Sequence, residues 1–296
     1  MSFLTIITPT YNRAYILTEL FDSLRSQTCK DFEWLIVDDG SSDNTKEVVA
    51  GFSADFPIRY IWKENGGKHT ALNVGIKNIT SDLTIIVDSD DHLLTDAVEK
   101  IGCYYEKYRQ RTEIGALCFL RCHQNGKPIV GLDREEFTDS YIDYRIKGNR
   151  PGDMAEVFLT KVLKEYPFPE FPGERFLSED VVWIEVGKKY QFAFINQPIY
   201  VCEYLEDGLT VNDKPAKFKS PMGSMLRGKR LMSRECGWKV NIKGAIIYNC
   251  YAGAVQGQIP EILQMNGIRD KILIQLTKMP GVVFRKKWGA NGAGRS

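Results

Sequence analysis

Asp88, Asp90 and Asp91 place three carboxylates within four positions, directly after the apolar run "LTIIV" at 83–87. Like charges this close oppose one another's ionisation, so the cluster calls for a positive partner or for open solvent. The second reading is a solvated turn, because Asp and Ser serve turns and helix caps and a helical pattern restarts near Thr95. A second acidic pair, Glu179 and Asp180 in "SEDVVW", opens another helical pattern, where Ser178 and the acids also suit a capped first turn.

These residues need elements to hold them. Apolar strand-like runs recur at 4–8, 33–37, 58–62, 83–87, 115–120, 192–195 and 199–202. Between the first two, Ile16, Leu17, Leu20, Phe21 and Leu24 fall on one face of a 3.6-residue period, which predicts a helix packed on a sheet. Successive strand–helix units whose strands are apolar on both faces predict an α/β fold with a mainly parallel central sheet flanked by helices. In such sheets ligands bind beyond the carboxyl ends of the strands. The polar clusters "TPTYNR", "DDGSSD", "KENGGKHTALN" and "DSDDH" each follow a strand, so all four should converge on one edge. The chain has neither the Gly-x-Gly-x-x-Gly order of dinucleotide sites nor the Gly-x4-Gly-Lys-Ser/Thr of P-loops, and no motif that reads DNA or RNA.

With 296 residues, 43% hydrophobic and 26% charged, the chain can bury a full core. No apolar run approaches the length of a membrane span, and "MSFLTIITPTYNR" lacks a signal peptide's basic start and cleavage site, so a cytoplasmic protein is expected. Seven scattered cysteines without a Cys-x-x-Cys pair fit reduced thiols. Cys118, Cys122 and His123 have no second cluster to complete a zinc site and read as packing residues. Residues 214–296 hold 16 Lys and Arg against Glu235, Glu261 and Asp270; their net charge of +13 leaves about −12 on residues 1–213. The expected division is therefore an acidic region over 1–213 and a mainly helical, basic region over 214–296, with "TVNDKPAKFKSPMG" at the break.

Taken together, "TIITPTYNR", "LIVDDGSSDNT", "NGGKHTALNVGI", "IIVDSDD" and "FLSEDVVW" resemble, in order and spacing, the family 2 glycosyltransferases, enzymes of the GT-A fold. The resemblance covers residues 1 to about 204. It implies that Thr8, Pro9 and Tyr11 border the base of a nucleotide sugar, a UDP-sugar foremost, and that Asp38 or Asp39 contacts its base or ribose, where a carboxylate can accept from N–H or hydroxyl groups. Lys68, after two glycines, would meet the diphosphate as a point charge, with Asn73 one turn along the same helix; Leu72 stands where the family often has Arg. "VDSDD" resembles the family's Asp-x-Asp motif, which implies Mn2+ or Mg2+ on Asp90 with Asp88, Asp88 and Ser89 on the nucleotide side, and Asp91 as an orienting or capping group. His92 is expected at the surface or behind the ligands. By the family's Glu-Asp motif, Asp180 is the base for the acceptor hydroxyl, with Glu179 beside it, and the anomeric centre inverts. Trp183 reads either as a sugar-stacking ring or as a core aromatic.

Two other functions share parts of this pattern. A sugar-phosphate nucleotidyltransferase would open with a Gly-rich, Arg-containing loop, which "TPTYNR" is not, and a catalytically silent nucleotide-sugar-binding protein would keep the donor residues alone. The family resemblance implies an acceptor that is a glycan or a polyprenyl-diphosphate-linked glycan of cell-surface polysaccharide synthesis. The basic, aromatic-bearing C-terminal region fits either a solvated appendage or a patch that meets the inner face of the membrane.

Overall fold

The run expected as a strand over 4–8 forms β1 (Leu4–Thr10), buried along its whole length. The computed structural model describes residues 2–202, 213–255 and 257–292. Helices α1 (Leu17–Arg25), α2 (Thr45–Ala50) and α3 (Lys68–Lys77) alternate with β2 (Phe32–Asp38), β3 (Ile58–Trp62) and β4 (Leu83–Ile86). These strands run parallel in the order β3-β2-β1-β4. The α1 face predicted from spacing is the face observed: Leu17, Leu20, Phe21 and Leu24 are buried. Each such side chain contributes about 1.5–3 kcal/mol on burial. Helix α3 lies unusually near the sheet, because a Cβ on Gly75 would stand 2.2 Å from Cδ1 of Ile7.

The remaining elements of this sheet are β5 (His92–Leu93), α4 (Ala97–Tyr108), β6 (Ile114–Cys122), β7 (Glu136–Ser140), β8 (Met154–Leu159), α5 (Thr160–Glu165) and β9 (Gln191–Val201). Beyond β4 the order continues β8-β6-β9-β5, with β7 on β9. Here the pairings are mixed: only β6 and β9 run parallel. The two strands expected at 192–195 and 199–202 are one continuous strand, β9. Pro198 does not break it, because register shifts against β6 between Cys118 and Arg121 absorb the lost donor.

By packing, the described chain falls into two compact units. One takes residues 1–140, 150–167 and 189–205; the other takes 141–149, 168–188 and 206–296. The division expected at 213/214 follows chain order, whereas packing also assigns 141–149 and 168–188 to the helical unit. Helices of that unit are α6 (Asp180–Val186), α7 (Asp213–Lys219), α8 (Pro221–Leu231), α9 (Trp238–Ala252), α10 (Ile268–Leu276) and α11 (Lys278–Gly292). Helices α8 and α9 cross at two glycines, where a Cβ on Gly228 would lie 2.7 Å from the Gly244 carbonyl and one on Gly244 would lie 2.6 Å from the Gly228 carbonyl. Among the described residues no helix is long and apolar enough to cross a membrane.

Candidate active site

In the sheet unit, Asp88, Asp90 and Asp91 follow β4, and one carboxylate oxygen from each lies within 4.8 Å of the others. The turn is built by its neighbours. Tyr200, on β9, donates its hydroxyl to Oδ2 of Asp91 at 2.7 Å and accepts the Asp88 N–H at 3.1 Å. Arg121, on β6, lies over the Tyr200 ring at 4.3 Å and comes within 3.9 Å of Asp91. The arginine is fixed from behind, since its Nε donates to the Met154 carbonyl at 2.9 Å. Two strands of the mixed half thus hold a turn that ends a strand of the parallel half.

Lys68 opens α3 and reaches Oδ1 of Asp88 at 2.6 Å. Its position is set by Asp39, whose carboxylate accepts the N–H groups of Gly66 at 3.0 Å and Gly67 at 2.7 Å and pairs with Lys63 at 2.7 Å. Gly67 has φ of 95°, a conformation that favours glycine. Burial opposes the charge on Asp88, yet Lys68 and then Arg121 outweigh it and hold that carboxyl below its ordinary range. Asp90 goes the other way: burial and the charge of Asp88 push it up, against weaker relief from Arg13 and Lys68. An all-oxygen donor set with one under-compensated carboxylate fits a hard divalent cation.

The residues expected around the nucleotide divide into buried supports and exposed surface. Thr8 is fully buried, and its hydroxyl accepts the Trp34 indole N–H at 2.9 Å; Pro9 lies in register with Val37 inside the sheet. Tyr11 is 47% exposed. Asp38 accepts the Ser41 N–H at 2.7 Å and the Tyr60 hydroxyl at 2.5 Å, so both its oxygens shape the turn after β2. That turn is tied to the one after β1, where Asn12, at φ of 52°, accepts the Ser42 N–H at 2.8 Å and gives its own N–H to the Ser41 hydroxyl at 2.8 Å. Asn73, His69 and Ser89 are buried. Strands β1, β2, β3 and β4 therefore bring Tyr11, Asp38, Asp39, Lys68 and the Asp cluster to one edge, as the sequence pattern predicts. His92 is half-buried in β5 and stands outside the carboxylate cluster.

In the helical unit, Asp180 begins α6 and meets Arg227 of α8. Nε of Arg227 lies 3.0 and 2.7 Å from the two carboxylate oxygens, a second guanidinium nitrogen lies 2.7 Å from Oδ2, and the Ser178 hydroxyl donates to Oδ1 at 2.7 Å. Burial raises the Asp180 carboxyl, but Arg227 and Ser178 more than reverse this, so it is held below the ordinary range. Glu179 stands at the helix entry. The preceding loop is clamped to the start of α8. Glu174 accepts the N–H groups of Met222 and Gly223 at 2.7 and 2.8 Å, and the Ser220 hydroxyl accepts those of Arg175 and Phe176 at 3.2 and 3.1 Å. Trp183 is buried edge-on against Phe168 at 5.9 Å, which makes it a core ring and removes the sugar-stacking reading.

Three residues carry this geometry without a motif to announce them: Arg121, Tyr200 and Arg227. Their partners are set by strand order and helix packing, and only an unusual basic or aromatic residue in an otherwise apolar strand, as at Arg121, marks any of them.

A parallel half-sheet with a carboxylate cluster and a lysine-led helix at one strand edge, joined to a mixed half-sheet, defines a GT-A-type fold. Residues 5–138 match the family described as "Glycosyl transferase family 2", and this segment of the chain belongs to that family. It is 36% identical over 228 residues to glycosyltransferase GlyA of Streptococcus pneumoniae, covering 76% of this chain and 31% of that protein. It is 25% identical over 248 residues to the GalNAc(5)-diNAcBac-PP-undecaprenol beta-1,3-glucosyltransferase of Campylobacter jejuni, covering 80% of this chain and 78% of that protein. Residues 1–349 of Staphylococcus aureus TarS, in complex with UDP-GlcNAc, share the fold with a TM-score of 0.66 at 16% identity, over all of this chain and 93% of that one. The chain spans about a third of the length of the curated relatives it matches first.

Proposed function

We propose that this protein is an inverting, metal-dependent glycosyltransferase that moves a sugar from a nucleotide sugar, UDP-linked in the first instance, to a glycan or lipid-linked acceptor in cell-surface polysaccharide synthesis. The observation that carries this reading is the meeting of Asp88, Asp90 and Asp91 with Lys68 at one edge of the parallel strands. Asp90 and Asp88 would hold Mn2+ or Mg2+, which when bound offsets the negative charge that grows on the departing diphosphate. Lys68 adds a positive charge to the same end, exchanging its contact with Asp88 for a phosphate oxygen. Tyr200 and Arg121 keep the cluster rigid, so little reorganisation accompanies the reaction.

The acceptor hydroxyl oxygen forms its bond to the anomeric carbon as the bond to the diphosphate breaks, from the opposite face, and its proton passes to a carboxylate of the Glu179-Asp180 pair. Asp180 is the assigned base. Arg227 keeps it ionised and ready to accept, at some cost in basicity. The UDP-GlcNAc complex of the TarS fold supports the donor class, and the name of the Campylobacter relative, which acts on a PP-undecaprenol-linked glycan, supports a lipid-linked acceptor. The test is a screen of nucleotide sugars with and without Mn2+. Cation-dependent turnover of a UDP-sugar supports the reading, and binding without transfer on any acceptor class refutes it. Asp180→Ala that keeps near-normal turnover while Glu179→Ala loses it would reassign the base.

A further inference from the structure

Helices α10 and α11 are fixed to α9 by one face. Asn249 donates to the Ile274 carbonyl and the Thr277 hydroxyl at 2.8 and 2.9 Å, and a Cβ on Gly281 would stand 2.4 Å from Cβ of Asn249. Thr277 and Gly281 therefore mark the inner face. On the opposite face lie Ile268, Ile272, Leu276, Met279 and Val283, which are 78%, 54%, 72%, 72% and 60% exposed. Their spacing of four, four, three and four residues makes one continuous stripe over both helices. Exposed Lys271, Lys278, Lys286 and Lys287 flank it, and Asp270, the one acid of these two helices, is paired with Arg269 at 2.7 Å.

We propose that this outward face of α10 and α11 docks on an anionic phospholipid surface. Aliphatic side chains that would be costly to leave in water enter the acyl boundary, while the flanking lysines extend their charged ends to the headgroups. The charge arrangement selects this occupant. A second copy of the chain could match the heptad-like stripe, but it would bring lysine against lysine with no free acid to answer them. Nucleic acid would meet a row of aliphatic side chains where stacking rings are needed. The surface deepens the membrane-side reading of the function but does not depend on sugar transfer.

The test is flotation of the full chain with vesicles of phosphatidylglycerol and phosphatidylethanolamine, against phosphatidylcholine alone, at about 0.1 M salt, where exposed charges still act over roughly 10 Å. The expected result is binding to the anionic vesicles only. Ile272→Asp with Leu276→Asp should abolish it. Replacing the four lysines by Gln should lower partitioning by roughly several hundredfold, since each basic residue at such a surface contributes roughly fivefold. Failure to float with anionic vesicles overturns the proposal, as does flotation unchanged by the lysine set, or a stripe-dependent dimer in sedimentation. Thermal stabilisation by UDP, read on the same samples, keeps failure of docking distinct from failure of the transferase reading.

Discussion

Arg227 grips Asp180 through a two-nitrogen fork, with contacts of 2.7 to 3.0 Å to both carboxylate oxygens. The two residues stand 47 positions apart, yet the arginine determines how the carboxylate titrates. Breaking a largely buried pair strands one charge, so Arg227→Ala should cost on the order of 1–3 kcal/mol in urea unfolding, with Arg227→Lys intermediate because it keeps charge but loses the fork.

The same pair sets an acid limb. The folded Asp180 carboxyl lies below its ordinary value of 3.8, so its contribution is complete above that pH. It is lost as pH falls further, where the unfolded chain takes up the proton first. Stability measured from pH 6 to pH 2.5 should drop more gently below about pH 4 in Arg227→Ala than in the parent chain.

Asp90→Asn should remove the thermal stabilisation that UDP gives in the presence of Mn2+, while leaving the melting temperature of the free protein unchanged or higher. The second outcome follows because partial burial and then the charge of Asp88 push the half-buried Asp90 carboxyl up, so its charge works against the fold until a cation answers it.

Tyr200→Phe deletes one hydroxyl that donates to the Asp91 carboxylate and accepts the Asp88 backbone N–H of the Asp turn. The expected loss is about 1 kcal/mol, seen as a several-fold weaker metal-dependent affinity for UDP by calorimetry, with the fold intact by circular dichroism.

Gly228→Ala places a methyl group 2.7 Å from the Gly244 carbonyl and from the Tyr248 nitrogen. Backbone cannot move aside cheaply, so urea unfolding should show a loss of about 1–3 kcal/mol.

Much of the donor edge was legible because its residues are local to strands that announce themselves. Leu4, Ile36 and Ile85 sit in nearly continuous apolar runs, and the polar clusters follow those runs directly. The mixed half was harder. Strand β7, "EFTDS", has little apolar signal, and Pro198 disguised one long strand as two. The supports were invisible for a simpler reason: Tyr200 and Asp91 are 109 positions apart, and no spacing rule connects residues whose meeting depends on which strands become neighbours. Charge asymmetry located the basic region near Lys214 but could not show that 168–188 packs with it, since that grouping rests on contacts such as Glu174 on the start of α8 and Asp180 on Arg227.

The clamp between Glu174 and the first turn of α8 bears on how this protein can be cut for study. A fragment ending at residue 213 would retain the entire family-matched segment and both acidic motifs, and would look sufficient on paper. It would also strip Glu174 of two N–H donors and Asp180 of its guanidinium, leaving two low-exposure carboxylates to find water or a proton. The shortest fragment worth purifying therefore extends past Arg227, and past Gly244 if the α8–α9 crossing is to close.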